Sequence, residues 1–245
     1  MKDNFSLQAK QYSQFRPSYP PEMIEYILSF VHNKGTALDV ATGNGQVAVQ
    51  LANDFDTVYA TDISDKQLAN AVQADNIIYK NEPAENTNFK NAQFDLITVA
   101  QAIHWFNFDV FYKEVYRILK PNGIFAALGY GLFYTNPHTD KIIKHFYHEI
   151  IGPYWDPERQ YLDEDYKTIP FPFKEVEVKQ FDNEFTWTLE QLTGYLETWS
   201  AVQHYINQNN KNPLDLIRED LRHSWDNSDS KVIFPLLLRV GSLKV

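Results

Sequence analysis

No cysteine occurs among the 245 residues. That absence removes disulfides, thiolate nucleophiles, iron–sulfur clusters and Cys-ligated zinc together. Basic charge is also short. The 22 Lys and Arg stand against 32 Asp and Glu, a net charge of −10, and the isoelectric point is near 5.1. A protein that lives on a phosphate backbone needs the reverse, so no nucleic-acid partner is expected. No apolar run approaches the roughly 18 residues of a membrane span, and mean hydropathy is −0.44, so no membrane partner is expected either. The opening MKDNFSLQAKQYSQF lacks the apolar stretch of a secretory signal, which makes the cytoplasm the expected compartment. Glycine is sparse, at 9 residues, so two glycines close together carry information.

Aromatic residues are abundant: 15 Tyr, 17 Phe and 5 Trp. With 44% hydrophobic and 22% charged residues, the composition is globular. The length suits one α/β domain with an insertion. Met23, Ile24, Ile27, Leu28 and Val31 share a helical face after Pro20-Pro21, a good helix start. A strand over 36–41, a helix around Val47–Ala52, a strand over 57–61 and a helix over 65–74 capped by Ser64 come next. Short strands follow at 76–79 and 94–100, then a helix through Phe111, Tyr112, Val115, Ile118 and Leu119, a turn at Lys120–Gly123, and a strand over 123–129. Strands separated by helices give a doubly wound parallel sheet with right-handed crossovers. Beyond it the pattern predicts a helix over 138–151, a proline-rich excursion over 152–173, a strand over 175–181, helices over 189–207 and 213–225, and a final strand over 231–240.

The sharpest feature is Asp39-Val40-Ala41-Thr42-Gly43-Asn44-Gly45, where the first strand turns into a helix. Glycines there let a ligand approach the backbone. Gly43-x-Gly45-x-x-Ala48, with Asp62 further on, fits the dinucleotide fingerprint. Asp39 tilts the reading, because a carboxylate is awkward beside a pyrophosphate and useful beside an ammonium. Asp62 has acceptors only, and so suits ribose hydroxyls.

The order Leu38-Asp39-Val40-Ala41-Thr42-Gly43-Asn44-Gly45, then Asp62, Pro83-Ala84-Glu85, Phe94-Asp95-Leu96-Ile97, and Glu114 to Gly123 resembles class I S-adenosylmethionine (SAM)-dependent methyltransferases over about residues 35–130. Tyr12-x-x-x-Arg16-Pro17-x-Tyr19-Pro20, Ala100-Gln101-Ala102-Ile103-His104-Trp105-Phe106 and Phe234 to Val240 are similar to a narrower group, the trans-aconitate methyltransferase-like, type 11 small-molecule enzymes. The resemblance implies a Rossmann-like α/β fold. Its seven-stranded sheet would be mostly parallel, with an antiparallel last strand and a helical cap insertion. All 245 residues then form one domain: 1–34 a lid and first helix, 35–130 the cofactor-binding core, 131–230 the substrate cap and a late strand, and 231–245 the final strand.

For the cofactor, SAM with S-adenosylhomocysteine as product, the resemblance implies Asp39, Ala41, Gly43, Gly45, Asp62, Ile63, Ala84, Glu85 and Ala100. Tyr12 and Arg16 would close over it from the N-terminal segment. Two departures stand out: Ala41 replaces the first glycine of the usual motif, and Pro83 stands where many relatives place an acid near adenine. Tyr19, Gln101, His104 and Trp105 are the candidates for a small-molecule substrate, and His104 is also the candidate base. Arg16 suits an acidic acceptor because its planar fork matches a carboxylate. No metal is expected: His145-x-x-His148 has no convergent carboxylate motif. The acceptor is a carboxylate or a hydroxyl oxygen, and the oligomeric state is left open. Two other readings also remain, an NAD(P)-dependent oxidoreductase resting on Gly43-x-Gly45-x-x-Ala48, and a non-catalytic SAM-binding module favoured by Ala41.

Overall fold

The computed structural model describes residues 15–226 and 228–243; Tyr12 lies outside them. Helix α1 (Pro21–Leu28) leads into β1 (Thr36–Val40), α2 (Gln46–Leu51), β2 (Thr57–Asp62), α3 (Asp65–Ala69), β3 (Ile77–Asn81) and β4 (Phe94–Ala100). Next come α4 (Phe108–Ile118), β5 (Leu119–Tyr130), α5 (Pro137–His145) and the short α6 (Gln160–Asp163). The chain ends with β6 (Lys174–Val176), β7 (Phe181–Thr186), α7 (Leu189–Glu197), α8 (Ser200–Asn209), α9 (Arg218–Asp226) and β8 (Lys231–Ser242). The sheet runs β3-β2-β1-β4-β5-β8-β6, with β7 also on β8. Strands β1 to β5 pair in parallel, and the last strand is antiparallel to β5. Among the described residues no helix is long and apolar enough to cross a membrane.

The two faces follow from strand alternation. Ala37, Leu96, Ala126 and Leu128 face one core, with α1 and most of the cap. Leu38, Val40, Ile97, Val99, Phe125 and Ala127 face the other, with α4. Burial on both faces explains why β4 is buried along all but its last residue and reads as mostly apolar.

Several boundaries differ from the sequence expectation, each for a local reason. The strand expected over 175–181 is two. Val176 pairs with Val240 and Phe181 with Leu236, so this edge carries one residue more than β8 and bulges between β6 and β7. The seventh sheet position is thereby split into two short segments. Helix α3 is capped by Ser64, which accepts from the Gln67 N–H, but it stops at Ala69. Beyond it the Val72 N–H donates to the Asn44 carbonyl, and the Tyr79 hydroxyl donates to the Val72 carbonyl. These tertiary bonds override the helical pattern. The helix expected over 189–207 breaks where Trp199 adopts an extended backbone and turns its ring onto Phe146, Tyr147 and Trp155. The 213–225 segment likewise divides into a 3₁₀ turn (Pro213–Leu216) and α9. Strand β5 begins earlier than expected. Phe94 pairs with Leu119 and Leu96 with Ile124, so the Lys120–Gly123 turn loops out of the ladder.

Most of the aromatic surplus is core. Phe234 of β8 is fully buried, with the rings of Tyr130, Phe133, Phe185, Trp187 and Tyr195 within 6.0 Å centroid to centroid. Offset and edge-on packing of this kind adds to simple area burial. Replacing Phe234 by Ala is expected to lower unfolding free energy by about 3–5 kcal/mol. Urea denaturation measures it, and a loss under about 1 kcal/mol would show that the cap does not depend on this ring.

Candidate active site at the carboxyl edge of the sheet

Strand β1 ends on a turn whose backbone alternates in hand. Ala41, Gly43 and Gly45 all have positive φ, at 53°, 58° and 83°. The first of these is the glycine position that alanine occupies here. Alanine adopts the required left-handed conformation at a cost of about 1–2 kcal/mol, so the turn keeps its shape despite the substitution. A Cβ on Gly45 would collide with the Tyr79 hydroxyl, whereas one on Gly43 would meet nothing within 4 Å. Gly43 therefore borders open space.

Asp62, at the end of β2, holds the turn. One carboxylate oxygen accepts from the Gly43 N–H at 2.9 Å, and the other from the Ser64 N–H at 2.9 Å. Ile63 beside it is half-buried, and its carbonyl accepts from Asn81. Past β3, Ala84 is buried, and Glu85 accepts from the Asn107 N–H at 3.3 Å. Glu82 is buried as well, accepts from the Asn88 N–H at 3.0 Å, and sits 3.8 Å from Lys80. Sequence reasoning passed over Glu82 because the strand was expected to end at Tyr79 and the motif to begin at Pro83.

Asp39 is buried beneath the turn, where Thr42 and Thr98 both donate hydroxyls to it. Burial pushes its carboxyl up to about 6, against these hydrogen bonds, which pull it down.

Ala100 is half-buried at the end of β4. The next residue, Gln101, also has left-handed backbone, with φ 55°. Its amide donates to the Tyr130 carbonyl at 3.3 Å and accepts from the Tyr130 N–H at 2.9 Å, so the side chain closes the sheet edge. His104 is buried in a 3₁₀ turn with Nδ1 3.3 Å from the Tyr166 hydroxyl. Its ring centroid lies 4.9 Å from that of Trp105. Burial, reinforced by the guanidiniums of Arg159 and Arg16, lowers its pKa to about 3. The expected base is thus a neutral imidazole and a weak one.

Arg16 is not a surface arginine. It donates to the Tyr130 hydroxyl at 3.0 Å and to the Thr198 carbonyl at 3.3 Å, and it lies over the Tyr195 ring. Tyr19, expected at the substrate, is instead buried in the core with α1. Its ring pairs with that of Tyr130 at 6.2 Å, and its apolar area is what places it there.

Three hollows adjoin along this edge. One of about 500 Å³ runs from Asn44 of the turn to Arg16. A small cavity of about 30 Å³ lies between Arg16, Gln101, His104 and Trp105 on one side and Trp155, Arg159 and Trp199 on the other. A third, of about 710 Å³, opens beyond His104 and Trp105 toward Glu85 and Asn107. Arg16 borders the first two, and His104 and Trp105 border the last two. Arg159 and Trp155 were missed in the sequence because the 152–173 segment reads as a loop, and Trp199 because it falls inside the helix expected over 189–207. The aromatic interleaving around Arg159 was the available signal. Among the described residues no cluster of His, Asp or Glu could hold a metal ion.

The raised Asp39 pKa has a pH consequence. A folded-state value above the unfolded 3.8 means that the native state holds the proton more tightly. Its contribution to stability is complete below about pH 4 and is lost as pH rises through about 6. Asp39→Asn cannot ionise, so its stability relative to the parent should rise over that window and level off above it. Urea denaturation at pH 4, 5 and 7 checks this, and a pH-independent difference would refute it.

Comparison with known proteins agrees with this geometry. Residues 38–127 match the methyltransferase domain family. A chain named as a methyltransferase from Dictyostelium discoideum is 36% identical over 96% of this chain and 93% of its own length. A solved structure from Anaeromyxobacter dehalogenans, described as a type II methyltransferase, superposes with a TM-score of 0.86 at 35% identity, covering 94% of this chain and 100% of that one. Phosphoethanolamine N-methyltransferase 2 of Haemonchus contortus, solved with S-adenosylhomocysteine, shares the fold alone, with a TM-score of 0.51 at 17% identity over 98% of this chain and 58% of that one. The residues at the turn fit the cofactor. Gly43 borders open space, and a backbone-anchored carboxylate stands beside it. SAM carries no phosphate, which suits a turn with the carboxylates of Asp39 and Asp62 beside it. The chain belongs to the class I SAM-dependent methyltransferases.

Proposed function

We propose that this enzyme methylates a small carboxylic acid on a carboxylate oxygen, with Arg16 and Arg159 as its clamps. The small cavity carries the reading: among the described residues two guanidiniums, one imidazole and three indoles border it, and no acidic side chain does. In a chain of net charge −10, a pocket with that donor set selects an anion. A carboxylate-sized head group suits a cavity of about 30 Å³, and the remainder of the molecule extends past His104 and Trp105 into the larger hollow.

SAM, when bound at the glycine turn, supplies a methyl group activated by the sulfonium. The chain's own residues supply position and dryness. Asp62, oriented by the Gly43 and Ser64 N–H groups, offers its carboxylate to ribose hydroxyls, with Asp39, Ala41, Gly45, Ile63, Ala84, Glu85 and Ala100 around the remainder of the cofactor. The indoles of Trp105, Trp155 and Trp199 strip water from the acceptor oxygen. A new C–O bond replaces the C–S bond, and no proton has to leave. That balance matters because His104 is held near 3, far below the working pH at which a general base is effective. A hydroxyl acceptor would need such a base, and a carboxylate does not.

Labelled methyl from SAM, offered with a panel of small acids and neutral alcohols, should appear in a base-labile methyl ester. Label that is stable to base would overturn the reading. Arg159→Ala is expected to raise KM for the acid about 10- to 100-fold, equivalent to ~1.5–3 kcal/mol for a lost charged hydrogen bond, with affinity for S-adenosylhomocysteine unchanged. Asp62→Ala should do the opposite, weakening S-adenosylhomocysteine at least about tenfold in calorimetry.

A further inference from the structure

Behind the cavity, the cap reaches His104 through a buried phenol. Tyr166 is fully buried, and its hydroxyl lies 3.3 Å from Nδ1 of His104. Three separate features seat it. Asp165 and Tyr166 are consecutive non-glycine residues in left-handed backbone, with φ 55° and 61°, a conformation that persists only where the surroundings impose it. Arg239 of β8 donates to the carbonyls of Tyr166 and Ile169 at 3.1 and 2.6 Å. On β5 the ring lies so close to Gly129 that a Cβ there would be 2.7 Å from it. Strands β5 and β8 and the cap thus converge to place one hydroxyl against one imidazole nitrogen.

A neutral imidazole has one N–H and one bare nitrogen, and whatever partners the first nitrogen decides the second. His104 is neutral because it is buried beside Arg16 and Arg159, the two cations that face it. Between a phenol and a neutral imidazole the phenol is the stronger acid and the imidazole nitrogen the stronger acceptor, so the favoured bond runs from O–H to Nδ1. The remaining proton then sits on Nε2.

We propose that Tyr166 is a positioning residue: it donates to Nδ1 of His104 and so presents Nε2–H to the cavity as a third donor beside Arg16 and Arg159. This role rests on the carboxylic-acid reading above, since a carboxylate accepts from all three groups. It makes His104 a binding group for the acceptor and leaves no proton transfer to it.

The test needs no acceptor. The full chain, labelled with ¹⁵N-histidine, is observed at neutral pH by long-range proton–nitrogen correlation, with His104 assigned by the signals missing from His104→Gln. The expected spectrum has a protonated Nε2 and a bare, hydrogen-bonded Nδ1. In Tyr166→Phe, which keeps the ring and its packing, Nδ1 should move to the position of an unbonded nitrogen. A proton on Nδ1 in the parent, or an unmoved Nδ1 in Tyr166→Phe, overturns the proposal. Because the acceptor is absent from the tube, either result leaves the base-lability experiment to decide the carboxylic-acid reading by itself.

Discussion

Pairing along β8 is the constraint that joins the cofactor half of the chain to the cap. The strand runs antiparallel to β5 on one side and to β6 and β7 on the other. It is therefore an internal strand although it comes last, and the cap cannot separate without unpairing the sheet. Its two faces do different things. Val232, Phe234, Leu238 and Val240 enter the core that holds the cap's aromatic rings. On the opposite face Leu237 joins the other core, while Arg239 pairs with Glu175 at 2.7 and 2.8 Å, stacks on Phe171 and donates to the Tyr166 and Ile169 carbonyls. The period-2 geometry of a strand delivers an apolar anchor and a polar clamp from the same dozen residues.

The sequence was most legible where local chemistry and global fold agree. The apolar run of β4, the Ser64 cap and the glycine turn could be read because propensity, pattern and burial point one way. It was least legible where distant partners decide. Nothing local tells that Val72 will be drawn to Asn44, or that Trp199 will leave its helix to meet Trp155. The same distinction runs through the candidate site. Asp62 and Gly43 lie in a motif, and the structure brings them into contact. Arg159 was hidden because two of its neighbours in space, Tyr147 and His104, come from other segments of the chain. Tyr19 shows the other side of it, since a residue inside a motif is also drawn into the packing of α1.

Placing two cations beside one small cavity raises an electrostatic problem that the aromatic composition helps to solve. Guanidiniums are planar and more weakly hydrated than ammoniums, so they stack face-on against rings. Arg159 lies over Trp155 at 4.8 Å and Tyr147 at 5.2 Å, and its Nε donates to the Tyr147 hydroxyl. Arg16 lies over Tyr195 at 5.4 Å. These contacts hold both side chains in fixed orientation without a carboxylate at the cavity wall. Asp163, the ion-pair partner of Arg159 at 3.4 Å, is itself substantially exposed, so the pairing is screened and weak. Burial, together with the nearby guanidiniums of Arg159 and Arg16, is why His104 resists protonation.

Backbone strain recurs at this same edge, as it does at Ala92, Asn210 and Ser230 elsewhere. Ala41, Gln101, Asp165 and Tyr166 are non-glycine residues with positive φ, and they follow β1, follow β4 and lead the cap back to the sheet. Left-handed backbone is unfavourable by about 1–2 kcal/mol at each of these positions. Each is held by a specific bond: Thr42 N–H to the Thr61 carbonyl after Ala41, the paired amide of Gln101 on Tyr130, the Asp165 N–H to the Leu162 carbonyl, and Arg239 on the Tyr166 carbonyl. Strain held by surrounding order is the means by which a site keeps donors aimed before any ligand arrives. Alanine at position 41 then has a structural meaning. The position still demands left-handed backbone, and the bond network around it, with glycine absent, supplies what the residue type does not.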